Sequence, residues 1–380
     1  KHINTLKLFL IITVLFLTVF ACDANELDNE YNKQNIIPDA KKDSVDIADR
    51  GPVKGGILQL FSTYPDTLDP INSKNAYIQK YIYLVYESMV KLDKSQRPVE
   101  WLSDGWHVSE DGHTWSFYIR EGIIWQDGFP LTAEDVEFTM KTILSPENDS
   151  IYKFNLSNVS SYAAIDDKTV KIILKKPNSF TPELMTFPII PKRFFSRTNT
   201  EDAYKTKFPP GTGPYSISSY EEKKSITLKS SRTWWYRKYN NTDFPYIPEI
   251  SIRLYEYSRD VFNAFQMRTV DAIKIENEKF KMYLNKPDVF AKVFPSNKFD
   301  FLALNLSNPF LGDKTARQAI ASSINRNEII ETIMQGQAVP ANMPVIPESW
   351  IYEYNDVFNA ETGEIKIASR ATPIKLEILV

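Results

Sequence analysis

From residue 55 onward, apolar and polar positions recur in two different rhythms, which predicts a body of mixed strands and helices. Ile57-Leu58-Gln59-Leu60-Phe61, behind the pair Gly55-Gly56, reads as a strand. The stretch Tyr64 to Pro70 (YPDTLDP) sets Pro and Asp between apolar residues and reads as a turn. From Ala76 to Leu92, Tyr77, Tyr81, Leu84, Val85 and Met89 recur at three or four positions, which predicts a helix. Asp104 to Val108 and Trp115 to Ile119 alternate as a strand pair, joined by a turn over Ser109 to His113. Thr132 with Asp135 three residues on forms a near capping box, so a helix should run to Leu144 and stop at Pro146.

The start of the chain has a different pattern. Lys1 and Lys7 precede Leu8 to Ala21, fourteen residues without a charge. As a helix these would span ~21 Å, short of the ~30 Å hydrocarbon core, so the run reads as a secretory signal, the alternative being a short membrane anchor with an incidental cysteine. The cut would fall within Val19-Phe20-Ala21-Cys22, which resembles the lipobox of bacterial lipoproteins, with Phe20 bulkier than the usual small residue. That resemblance implies that Cys22 carries lipid at the mature N-terminus. Residues 23–50 hold eight acidic and four basic side chains and few apolar ones, the composition of a flexible tether.

Composition narrows the function. The 380 residues suggest two or three domains at about 100–200 residues each. With 45 basic against 48 acidic side chains, the net charge of −3 lacks the basic field that nucleic-acid binding uses. Twelve glycines, and neither GxxxxGK[ST] nor GxGxxG, argue against a phosphate-cradling loop. The single cysteine excludes an intrachain disulfide. Beyond the signal only His107 and His113 remain, both in the hairpin, and GxSxG, HExxH and CxxC are absent. The acidic pairs Glu134/Asp135 and Glu221/Glu222 read as solvated helix and turn charges, and Trp234-Trp235 reads as core packing before sugar stacking. Catalytic residues, a metal site and a cofactor are therefore not expected.

Several blocks together point further. GGILQLFSTYPDTLDP (55–70), YESMVKLD (86–93), WHVSEDGHTWSFYIREGIIWQDGFPLTAEDVEFT (106–139), IDDKTVKIILKKP (165–177), GTGPYSISSYEEKKSITLKSSRTWW (211–235), VDAI (270–273) and FLALNLSNPFLGDKTARQAIASSINRNEII (301–330) keep one order and spacing. This set resembles the bacterial extracellular solute-binding proteins of family 5, the oligopeptide, dipeptide and nickel class that serves ATP-driven importers. Phe129 after Asp-Gly and the doubled Trp234-Trp235 depart from the usual pattern.

The resemblance implies a bilobed α/β fold of the periplasmic-binding-protein type, with the ligand between lobes that close by hinge motion. It places a first lobe at 51–90 and 190–272, an extra subdomain at 91–189, and the start of a second lobe at 273–380. The final residues, Thr372 to Val380, alternate like a strand just begun, which points to an incomplete second lobe. The loop after the LDP turn is expected to line the cleft through Lys74, Asn75 and Ala76, partly by backbone pairing with an extended peptide, and Tyr152 is expected to contact the ligand. Charges that fix peptide termini would lie mainly beyond Val380. The partners implied are a peptide or related small solute, permease and ATPase subunits, and a membrane reached through the lipid on Cys22; the protein itself is expected to be a monomer outside the cytoplasm. The competing classes are a secreted glycan- or peptide-acting hydrolase and a non-transport sensor lipoprotein on the same fold.

Overall fold

The computed structural model describes residues 52–195, 208–242, 244–275, 281–283, 286–292, 298–341, 344–345 and 349–353. The expected signal run and tether, Cys22 and the strand expected at Thr372 to Val380 lie outside the described residues. The chain divides into two compact units, one of 1–51 with 275–296 and one of 52–274 with 297–380. In the smaller unit, Tyr283 is buried and the Lys286 ammonium lies 4.9 Å from its ring centroid.

The larger unit is built on two four-stranded sheets. The first is mixed. β1 (Ile57–Thr63) runs parallel to β10 (Glu249–Tyr255), from Ile57 opposite Glu249 to Thr63 opposite Tyr255. β9 (Ser225–Ser230) and β8 (Tyr215–Glu221) follow antiparallel. α1 (Ala76–Ile82) covers this sheet. Ile78, Ile82, Val85 and Tyr86 pack there on Ile226, Leu228, Ile250 and Ile252.

The second sheet is antiparallel, in the order β4 (Ser103–Val108), β5 (Thr114–Ile119), β7 (Thr169–Leu174), β6 (Val159–Ala164). Its inward residues alternate: Trp115, Phe117 and Ile119 on β5, Val170, Ile172 and Leu174 on β7. α2 (Ala133–Leu144) lays Val136, Met140 and Ile143 into the same core. The capping box is formed: the Thr132 N–H donates to the Asp135 carboxylate at 3.1 Å. The hairpin and this helix stand where the local pattern places them. A short ribbon, β2 (Val90–Leu92) with β3 (Pro98–Glu100), precedes the second sheet.

The helix expected from Ala76 to Leu92 ends at Ile82. The following residues are taken by backbone pairing with distant chain: Tyr215 N–H donates to Leu84 O and Gly213 N–H to Val85 O, both at 2.9 Å, and Ile189 N–H donates to Glu87 O at 2.9 Å. The spacing from Leu84 to Met89 suits a buried extended segment as well as a helix face, and long-range pairing decides between them. The approach is close at Gly211, where a Cβ would stand 1.8 Å from the Val85 carbonyl oxygen.

Where this segment meets the second sheet, the buried Glu87 carboxylate receives three indoles. Trp101 and Trp234 Nε1 donate to Oε1 at 2.8 and 3.2 Å, and Trp235 Nε1 donates to Oε2 at 2.8 Å. The Lys91 ammonium lies 3.3 Å from the Trp101 ring centroid. Burial pulls the Lys91 pKa down to about 8 despite the nearby Glu87. Burial also pushes the Glu87 carboxyl up, against the three indole hydrogen bonds and Lys91. Indoles only donate, so all three partners suit the carboxylate form.

The remaining described α-helices are α3 (Thr181–Leu184), α4 (Lys192–Phe195), α5 (Trp235–Asn240), α6 (Asp260–Gln266), α7 (Lys314–Ser323), α8 (Arg326–Glu328), which runs into a π-helical turn at Ile329–Ile333, and α9 (Trp350–Glu353).

Candidate functional site

The turn after β1 is organised by two carboxylates. Asp66 accepts from Thr67 N–H and Ser73 Oγ, both at 2.8 Å, and from Lys74 N–H at 2.6 Å. Burial pushes the Asp66 pKa up, but these hydrogen bonds, led by the one from the Lys74 backbone, outweigh it and hold the carboxyl below its ordinary value. Asp69 accepts from Ile71 N–H at 2.8 Å and from the Asn72 amide at 3.0 Å. A loop cross-linked in this way has little freedom, so its backbone groups are presented in one arrangement.

Asn75 closes the loop as the N-cap of α1. Its Oδ1 accepts from Tyr77 and Ile78 N–H at 2.9 and 3.2 Å, and its Nδ2 donates to Thr63 Oγ1 and Tyr64 O at 2.8 and 3.0 Å. That side chain is consumed by the fold and the Asn75 carbonyl accepts from Gln79 N–H at 3.0 Å, which leaves the backbone N–H as the group that Asn75 can offer. Ala76 is the exposed first residue of α1. Lys74 is exposed, and its ammonium forms an ion pair with Asp149.

Residues 149–152 stand against this loop. Ser150 Oγ donates to Ile71 O at 2.8 Å in a buried contact, and Asp149 holds Lys74. Tyr152 lies on the 3₁₀ turn Ile151–Lys153, its ring inward and 6.4 Å from Phe187. Its hydroxyl lies 3.1 Å from that of Tyr83, which lies 3.2 Å from Thr186 O. The structure thus brings the segments of Lys74 and Tyr152 together, although 78 positions separate the two residues in the sequence. Tyr83, Asp149 and Asp66 join the candidate site only in the folded chain. Asp66 stands within the turn-rich YPDTLDP run, whereas Tyr83 and Asp149 carry no local signal.

The other chemistry-bearing residues have structural work. His113 Nδ1 lies 3.0 Å from Leu174 O. Glu134 pairs with Lys192, and Asp135 accepts from Lys192 N–H at 2.8 Å. Trp234 and Trp235 serve Glu87, as described. Among the described residues, no three His, Cys, Asp or Glu side chains converge as a metal site would require.

Comparison with known proteins bears on this arrangement. The oligopeptide-binding protein OppA of Bacillus subtilis is 24% identical over 334 residues, covering 80% of this chain and 59% of that protein. The glutathione-binding protein GsiB of Escherichia coli is 26% identical over 294 residues, covering 75% of this chain and 55% of its own length. The chain therefore spans a little over half the length of these curated relatives. Among solved structures, NikZ from Campylobacter jejuni in complex with Ni(L-His) matches with a TM-score of 0.62 at 22% identity, over 79% of this chain and 59% of that one. AppA from Bacillus subtilis in complex with a nonapeptide matches with a TM-score of 0.58 at 22% identity, over 79% of this chain and 60% of that one. These likenesses carry the fold class, the bilobed α/β type. The profile of the family described as bacterial extracellular solute-binding proteins, family 5 Middle, matches residues 97–370, well over half of the sequence, and the chain belongs to that family.

Proposed function

We propose that this protein captures a peptide or a related small solute and delivers it to the permease of an ATP-driven importer. Solute is held against the Asp66–Ala76 loop and the Tyr152 turn, and it leaves chemically unchanged. The observation that carries the reading is the junction of those two segments, which is locked by the buried Ser150–Ile71 hydrogen bond within a chain of this family. Lys74 is offered as an exposed ammonium already paired with Asp149, Asn75 and Ala76 as backbone N–H groups, and Tyr152 as a hydroxyl at the base. Relatives named for oligopeptide and for glutathione binding support peptide as the solute class. The second lobe starting near residue 273 supplies the opposite wall, and lipid on Cys22 holds the body at the outer face of a membrane.

The test is thermal unfolding of the intact protein with a defined set of di- to nonapeptides. A ligand bound only by the folded state stabilises it by RT ln(1 + [L]/Kd), about 2.7 kcal/mol at a hundredfold excess over Kd. A saturable rise in Tm with at least one peptide, and the peptide recovered intact, is the expected result. No shift with any member, or cleavage of the peptide, overturns the reading in favour of a hydrolase or sensor.

A further inference from the structure

Tyr83 Oη lies 3.2 Å from the Thr186 carbonyl oxygen and 3.1 Å from Tyr152 Oη. A carbonyl oxygen only accepts, and a phenol has one proton. Tyr83 therefore donates to Thr186, and Tyr152 donates to Tyr83. With both protons committed, the pair has only lone pairs left to offer. The neighbouring Thr186 hydroxyl is committed too, donating to Glu183 O at 3.1 Å. Burial raises both phenol pKa values, so both stay protonated at neutral pH. Tyr152 is almost fully buried and fixed by its turn, whereas Tyr83 is 37% exposed and faces solvent beside it.

We propose that Tyr83 is a specificity-determining residue: by taking the Tyr152 proton it makes the pair a pure acceptor, so this wall selects a ligand group bearing N–H, an amide or an ammonium, over an ester or carboxylate oxygen. The proposal rests on the solute-capture reading above. The probes are trialanine and two analogues, each with one peptide N–H replaced by an ester oxygen, together with des-amino trialanine. Affinities are measured by titration calorimetry on the intact protein. In the wild type, at least one analogue should bind about tenfold or more weakly than trialanine, as expected when a site's acceptors are left unpaired. In Tyr83→Phe, the Tyr152 proton is released to the ligand, and that ratio should fall to about threefold or less. If Tyr83→Phe fails to fold, Tyr83→Leu, which likewise removes the acceptor of the Tyr152 proton, should lower the same ratio. A ratio unchanged in the variant, or an equal loss for every probe, overturns the proposal alone. A wild type that binds none of the tested peptides overturns the capture reading and this one with it.

Discussion

Replacing Glu87 by glutamine should lower stability by about 3 kcal/mol, and replacing it by alanine by at least as much. Removing one partner from a buried charged network costs about 3–5 kcal/mol. Here the loss leaves indole donors of Trp101, Trp234 and Trp235 competing for one remaining acceptor or for none. An amide keeps the shape but turns a donor toward at least one indole. Against a typical total of about 5–15 kcal/mol, this is a large share. Urea unfolding followed by tryptophan fluorescence checks it, and a midpoint unchanged in both variants would show that the carboxylate is dispensable.

The same node carries a pH signature. Lys91 binds its proton less tightly in the folded state, with a pKa of about 8 against 10.5. Between those values the unfolded chain holds more protons, so the lysine's contribution to stability rises with pH across that window. Its unfavourable effect is fully present below pH 8. With the ammonium 3.3 Å from the Trp101 ring centroid, indole emission should titrate near pH 8. In Glu87→Gln the lysine loses its neighbouring anion, and the midpoint should move to lower pH.

The second large effect is expected at Gly211. An added methyl would stand 1.8 Å from Val85 O and 2.6 Å from Val85 C, both backbone atoms. Backbone cannot swing aside as a side chain does, so relief requires parting the two segments. That parting would strain the 2.9 Å bond from Gly213 N–H to Val85 O and the mutual bonds of Gln126 with Gly211. Overpacking of this kind costs about 1–3 kcal/mol and occasionally more, and the upper end is expected for Gly211→Ala. Gly122→Ala serves as the contrast, because its positive φ of 76° strains an alanine although nothing lies within 4 Å of the added carbon. A Tm loss at Gly211 no greater than at Gly122 would count against steric approach as the reason for that glycine.

These two sites show where sequence reading stops. The hairpin of β4 and β5 and the capped helix α2 are written in neighbouring residues, so a local pattern suffices for both. Glu87 sits in an apolar run, and the three tryptophans that complete it arrive from positions 101, 234 and 235. No spacing rule links them. The helical pattern overruns the end of α1 for the same reason, since Gly213 and Tyr215 claim the carbonyls of Val85 and Leu84 respectively only in the folded chain. At the site, Lys74, Asn75, Ala76 and Tyr152 came from family resemblance and not from chemistry. Asn75 illustrates the limit: its identity is legible as an N-cap once α1 is known, and its four hydrogen bonds show a side chain serving its own fold. Tyr83 is silent in sequence because its part depends on which proton goes where.

The order of strands has a consequence for how the molecule is made. β1 finds its parallel partner β10 nearly two hundred residues later, while the antiparallel sheet and α2 come from one contiguous stretch between them. Contacts that are near in sequence form first, and distant ones must wait for loop closure. The inserted sheet can therefore assemble while β1 still presents an unpaired apolar edge. While the chain is being made, that edge is open to wrong pairing, and its protection depends on how soon residues 249–255 arrive.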